Sequence, residues 1–438
     1  MKNRVLTALL AVTVKLSLAL SSAAFADTLT IATVNNGDMI TMKSLSDEFT
    51  KLHPDIELEW VTLEENILRQ RVTTDIATKG GQYDIVTVGT YEVPMWAKWG
   101  WLEALEDLDE SYDVNDILPS IRGGLSYEDK LYAVPFYAES SMVIYRTDLM
   151  AKAGLTMPKA PSWDFIKKAA KAMTNKEQQV YGICLRGKAG WGENVALLTA
   201  MSNSFGARWF DESWQPQLNS KEWQDTLSFY VDLMAESGPP GAASNGFNEN
   251  LALFQTGKCG IWIDATVAGA FVTNAAESSV ADKVGFAMAP DNGLGRRGNW
   301  LWAWTLAIPN SSKQKASAKR FVEWATSKGY LELVASKKGW ANVPPGTRAS
   351  LYANQKYMDA APFAQITLDS INAADPQNPT IQPVPYVGVQ FVAIPEFQGL
   401  GTAVGQQFSA AVAGKVSAKQ ALKSAQRLAD RTMRKAGY

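Results

Sequence analysis

The spacing of apolar residues changes period from one segment to the next. "TLTIATVN" (28–35) alternates as a strand. "DMITMKSLSDEFTKLHP" (38–54) sets Met42, Leu45, Phe49 and Leu52 on one helical stripe, with Pro54 as its stop. "DIELEWV" (55–61) alternates again through Ile56, Leu58 and Trp60. "ENILRQRVTTDIATKG" (65–80) carries Ile67, Val72 and Ile76 at helical spacing up to Gly80 and Gly81, and "YDIVTVG" (83–89) is a third strand. Strand–helix–strand–helix–strand predicts parallel pairing through right-handed crossovers, an open α/β lobe.

Beyond Leu131 the pattern shifts. "LYAVPFYAESSMVIYR" (131–146) predicts two short strands, and "CGIWIDA", "VGFAMAP" and "LWAWTLAIP" three more. Between them lie helical stretches, among them "SWDFIKKAAKAMT" with Ser162 as N-cap. "QKASAKRFVEWATSKGYLELVASKKG" (314–339) is helical, and the tail from Ser417 carries a Ser417/Gln420 capping box. "DPQNPTIQPVPYVG" (375–388) is a proline-rich loop. "GLGRRG" (293–298) fits a dinucleotide-binding pattern, but a strand follows it where that fingerprint needs a helix, so a turn is expected.

The first residues form a leader: Lys2 and Arg4, an apolar run, then Ala24-Phe25-Ala26. Cleavage after Ala26 is expected, giving an exported, periplasmic protein. Removing Lys2, Arg4 and Lys15 with the leader leaves 39 basic residues against 44 acidic ones. No basic block suggests nucleic acid or a membrane surface. The remaining length exceeds one typical core and predicts two lobes. The single histidine, His53, lies before a proline between helix and strand, so neither Ser-His-Asp catalysis nor a histidine metal site is expected. Cys184 and Cys259 lie in strand-like segments. An oxidising compartment permits them to pair, while two buried thiols are the plainer expectation.

The order of segments resembles the extracellular solute-binding proteins of ABC importers, in the branch typified by maltose-binding protein. The similarity runs through "LTIATVNNGDM", "LSDEFTKLHPDIELEW", "YDIVTVGTYEVPMWAKWGWLEAL", "DKLYAVPFYAESSMVIYRTDLMAKAGL", "LFQTGKCGIWIDATVAGAF" and "WTLAIPNSSKQKASAKRFVEWAT". Within that group the tryptophan-rich segments look most like binders of sorbitol and mannitol. The resemblance implies a two-lobed α/β periplasmic binding protein fold, crossed by the chain near 137–140, 296–299 and 343–346. The lobes would comprise 27–138 with 298–344, and 139–297 with 345–438. It also implies a monomer that hands its solute to an ABC permease, with no cofactor and no metal.

A polyol stripped of water needs a partner for every hydroxyl, since an unsatisfied buried polar group costs about 1–3 kcal/mol. Carboxylates, amides and arginine supply those partners, and indoles supply flat surface for the carbon skeleton. Such residues follow the predicted strands: Asn36, Glu65, Arg69, Tyr91, Glu139, Trp191, Asn194, Asp264, Trp302, Trp304 and Trp340. Trp300, Trp302 and Trp304, at spacing two, would share one strand face. Each has a structural alternative: the indoles could be core, Asp264 a helix cap, Arg69 a solvated helix residue. With the acids balanced by Arg69, an uncharged ligand is expected. An exported carbohydrate-active enzyme, with Glu139 and Asp264 as a carboxyl pair, is the competing class. A binder of a mono- or disaccharide is the competing ligand, and an exported metal or anion binder lacks a motif.

Overall fold

The computed structural model describes residues 26–438, so the leader expected over 1–26 lies outside the described residues except for Ala26. β1 (Asp27–Val34) runs parallel to both β2 (Ile56–Leu63) and β3 (Ile85–Gly89), as the alternating pattern requires. A two-stranded hairpin, β4 (Ser126–Tyr127) with β5 (Lys130–Leu131), precedes β6 (Val134–Glu139). After Ser140 the chain enters β7 (Ser141–Arg146), which pairs with different strands: β9 (Cys259–Ala265) and β10 (Val284–Met288). β8 (Tyr181–Cys184) completes that second sheet, in the order β10-β7-β9-β8. β11 (Trp302–Ala307) then returns to the first sheet, whose order is β2-β1-β3-β11-β6.

Two sheets with helices around them, joined by the same few segments, make the two-lobed α/β architecture. The passages are stitched together side by side. Ser141 Oγ donates to the Gly298 carbonyl at 2.5 Å, and Asn299 Nδ2 donates to Ser140 Oγ at 3.3 Å and to the Ser141 carbonyl at 3.0 Å. A third passage lies against them where Ala138 N–H donates to the Pro345 carbonyl at 2.9 Å. Gly346, at φ +78°, is required there, because a Cβ would stand 2.0 Å from the Ala138 oxygen. From there the chain packs Ala364–Ala373 over β7 and β10, then ends in two long helices, Phe397–Val412 and Ala418–Ala436.

Helix ends follow the expected chemistry. Ser162 Oγ accepts from Phe165 N–H, and Ser417 with Gln420 forms the capping box. Two long helices are each split by a serine. Ser46 divides Gly37–Leu45 from Asp47–Leu52, and Ser327 divides Lys315–Thr326 from Lys328–Lys338. The stripe runs through the first break but stops short of the helix end: Met42, Leu45 and Phe49 are buried, while Leu52, the last residue of Asp47–Leu52, is 67% exposed. Ile67 likewise faces solvent, while Leu68, Arg69, Val72 and Ile76 form the buried face of Glu65–Thr78. The 293–298 turn is closed by an Arg297–Asp291 pair at 3.1 Å and leads on to β11, with no helix. The expectation of two free thiols fails: Cys184 and Cys259 are bonded, because β8 and β9 are adjacent and bring their Cα atoms to 6.1 Å.

Candidate functional site

Between the two sheets, beyond the carboxyl ends of β1, β6, β8 and β9, lies a cavity of about 110 Å³. Asn36 follows β1, Glu139 ends β6, and Arg186 and Lys188 follow β8. Glu65 and Arg69 reach it from the first turns of Glu65–Thr78, whose N-cap Glu64 accepts from Asn66 N–H. Trp302 and Trp304 project from alternate positions of β11 and therefore share the face that lines it. Trp300 lines it too, from the segment before the strand. Gly89 makes room for this row, since a Cβ there would fall 2.0 Å from the Trp302 ring.

The indoles have a polar occupant. The Arg69 guanidinium carbon is 4.1 Å from the Trp191 ring centre, 4.8 Å from Trp304 and 5.0 Å from Trp302. The same guanidinium donates to Glu65 Oε1 at 2.9 and 3.0 Å and to Glu92 Oε1 at 2.5 Å. Burial would lower the Arg69 pKa, but Glu92 and Glu65 outweigh it and raise it. Burial raises that of Glu92, with Arg69 opposing. Across the cavity, Arg186 grips Asp264 through Nε and Nη2, the shortest contact being 2.6 Å, and donates to the Gly192 carbonyl at 2.8 Å. Glu193 stands 3.5 Å from Arg186 and 3.4 Å from Lys188, and burial pushes its carboxyl up to about 7 against the pull of Arg186. Glu139 is buried, and that burial holds its carboxyl well above the usual range, Arg186 opposing. Asn36 Nδ2 donates to Tyr137 Oη at 2.6 Å, leaving Asn36 Oδ1 buried without a partner, as is Trp191 Nε1.

Seven expected site residues therefore border the cavity: Asn36, Glu65, Arg69, Glu139, Trp191, Trp302 and Trp304. Four lie outside its lining, each for a local reason. Tyr91 turns its hydroxyl away, donating to the Ile394 carbonyl at 2.9 Å and accepting from Gln398 N–H at 3.1 Å. Asn194 is spent on the Gly187 and Gly405 carbonyls at 3.3 and 2.8 Å. Asp264 is fully buried behind Arg186 and also accepts from Trp262 Nε1. Trp340 sits half-buried in the single turn Trp340–Asn342.

This arrangement can be set beside known proteins. Residues 35–332 match the family model described as bacterial extracellular solute-binding protein. The chain belongs to this family. Among its relatives, a mannitol-binding protein of Pseudomonas aeruginosa is 57% identical over 413 residues, spanning 94% of each chain. The crystal structure of an ABC transporter solute-binding protein from Agrobacterium vitis S4 with bound D-mannitol is 70% identical. It covers 94% of this chain and all of its own, with a TM-score of 0.94. A solute-binding protein of Agrobacterium radiobacter K84 in complex with ribitol shares the fold, with a TM-score of 0.82 at 24% identity over 92% of this chain and 98% of its own.

Within the solute-binding fold, Arg186, Lys188, Glu193 and Glu92 are among the charged residues that pattern reading passed over. Arg186 had a usable signal. It stands just past the end of β8, in the position that Asp264 occupies at the end of β9, and opposite charges at neighbouring strand ends invite a pair. Glu92 had none, because it reads as an ordinary acidic residue in the first turn of Glu92–Lys98.

Proposed function

We propose that this protein captures D-mannitol, or a closely related linear hexitol, between its two lobes and delivers it to the membrane permease of an ABC importer. The observation that carries the reading is the set of polar groups facing the cavity with capacity to spare. Asn36 Oδ1 can accept and Trp191 Nε1 can donate; both are buried without a partner. The Glu139 carboxyl and the remaining N–H bonds of Arg69 and Arg186 add acceptors and donors around them. A chain of vicinal hydroxyls, each both donor and acceptor, suits such a lining, and buried polar groups demand partners of this kind. The two mannitol-binding relatives favour the same ligand.

The lobe assignment is 27–138 with 298–344 against 139–297 with 345–438. It is supported by the three passages at Ser140, 289–301 and 343–347. Capture then works by closure: a ligand touching both lobes binds the closed form better and shifts the population towards it. The mature chain begins at Asp27 in the periplasm, after removal of the leader, and mass spectrometry of protein from a periplasmic extract tests that. No turnover accompanies binding. Asp264, the formal partner of Glu139 in a glycosidase pair, is held by two arginine nitrogens and stands behind the cavity wall. Calorimetric titration of the mature protein with mannitol, sorbitol, maltose and glutamate is the direct test. Heat with a hexitol supports the reading. Heat with maltose alone moves the ligand to a sugar, and steady product release from an aryl glycoside would replace the binder by an enzyme.

A further inference from the structure

We infer that the cleft also accepts a hexitol in which one terminal hydroxyl is replaced by an ammonium group, seated against Glu139. The inference rests on the polyol reading above and extends it to a charged ligand, where the sequence suggested a neutral one.

The argument is a count of ion pairs. Three cations border the cavity, and each is already shared. Arg69 serves Glu65 and Glu92. Arg186 serves Asp264 at 2.6 Å and Glu193 at 3.5 Å. Lys188 serves Glu64 at 2.7 Å and Glu193 at 3.4 Å. Two lining acids are left over, Glu249, which is exposed, and Glu139, which is buried. Glu139 is 6% exposed and borders the cavity, beside Trp302 across the β6–β11 ladder. Among the described residues, no lysine or arginine lies within ion-pair distance of its carboxyl, and no donor is within hydrogen-bond distance.

A buried carboxyl without a counter-ion stays neutral or waits for a cation. The charged groups acting on Glu139 point both ways: Arg186 favours its ionised form, while Asp264, Glu65 and Asp38 oppose it. Tyr137, two residues before it on β6, stays neutral. A hexitol ammonium would supply the missing charge with three N–H donors in place of one hydroxyl. Binding then converts a neutral carboxyl and an ammonium into an ion pair and releases one proton to solvent. A neutral hexitol makes hydrogen bonds there and releases none. The two ligands are thereby distinguishable in the wild-type protein.

The test is calorimetry at pH 7 with D-mannitol and 1-amino-1-deoxy-D-mannitol, each in two buffers of different ionisation enthalpy. The aminohexitol is expected to bind within about tenfold of mannitol, with a heat that depends on buffer while that of mannitol does not. Glu139→Gln is expected to lower the affinity for the aminohexitol at least about ten times more than that for mannitol. Mannitol binding without aminohexitol binding overturns this inference and leaves the polyol reading intact. Failure of both ligands overturns the polyol reading, and this inference with it. Buffer-independent heat for both, or an equal loss in the variant, removes Glu139 as the ammonium partner.

Discussion

Arg186 makes its hydrogen bonds on its own side of the cavity, to Asp264 on the adjacent strand and to the Gly192 carbonyl six residues on, with the Trp300 ring farther off at 5.8 Å. Arg69 is held by its own side only in part. Glu65, Glu92, Trp302 and Trp304 come with the first sheet, but the nearest indole, Trp191 at 4.1 Å, comes from the other lobe. The difference separates two jobs. The Arg186 hydrogen bonds to Asp264 and Gly192 draw on one side alone, so that pair presents a preformed surface to an arriving solute. The Arg69 cluster is completed by closure, so its cation–π contact is a term that only the closed form contains.

The sharpest way to break that contrast is Arg186→Met. It leaves Asp264 fully buried and unpaired, and should cost about 3–5 kcal/mol of folding stability, read by urea denaturation. A loss below about 1 kcal/mol would mean that the cluster is not the rigid half. Glu139→Leu, between the two clusters, should weaken mannitol binding by about 1–3 kcal/mol in calorimetry, the cost of leaving a buried ligand hydroxyl without its partner.

Glu193 tests the preformed side through pH. Its carboxyl is raised to about 7 by burial, so the folded form retains a proton that the unfolded chain has given up. Stability is therefore full below the ordinary carboxyl range and falls as pH climbs from about 4.5 through 7. Glu193→Gln should flatten that decline, by about 1–3 kcal/mol at pH 8 relative to pH 4. Thermal melts across this range give the slope. The smallest effect belongs to the closing side: Trp191→Phe should lower affinity by about 0.5–2 kcal/mol and reduce the ligand-induced fluorescence change. If its denaturation midpoint without ligand also falls by several degrees, the Arg69 cluster is structural and not a closure contact.

Much of the architecture was legible because it rests on local rules. Period-two strands gave parallel β1–β3, and Ser162 and Ser417 capped the helices they were expected to cap. Reading failed where charge replaced hydrophobicity inside. In Glu65–Thr78 the pattern favoured Ile67 as core, yet Ile67 is 43% exposed and Arg69 is 7% exposed. Glu65 is one turn from Arg69, but the burial is completed by Glu92 and the Trp302 ring, which no local window contains. Tyr91 and Asn194 mislead in the converse way. Their polar groups are used by Ile394, Gln398 and Gly405, more than two hundred residues away. The Cys184–Cys259 bond is of the same kind, fixed by strand adjacency across 75 residues.

The three chain passages between the sheets have a mechanical consequence. A single connecting strand is a swivel, free to twist as well as bend. Here Ala138 is tied to Pro345, Ser141 to Gly298, and Asn299 to Ser140, so the passages form a short ribbon and not a thread. A ribbon resists torsion and bends easily across its width. The lobes are left with one soft direction, and each closure returns Trp191 to Arg69 along the same arc.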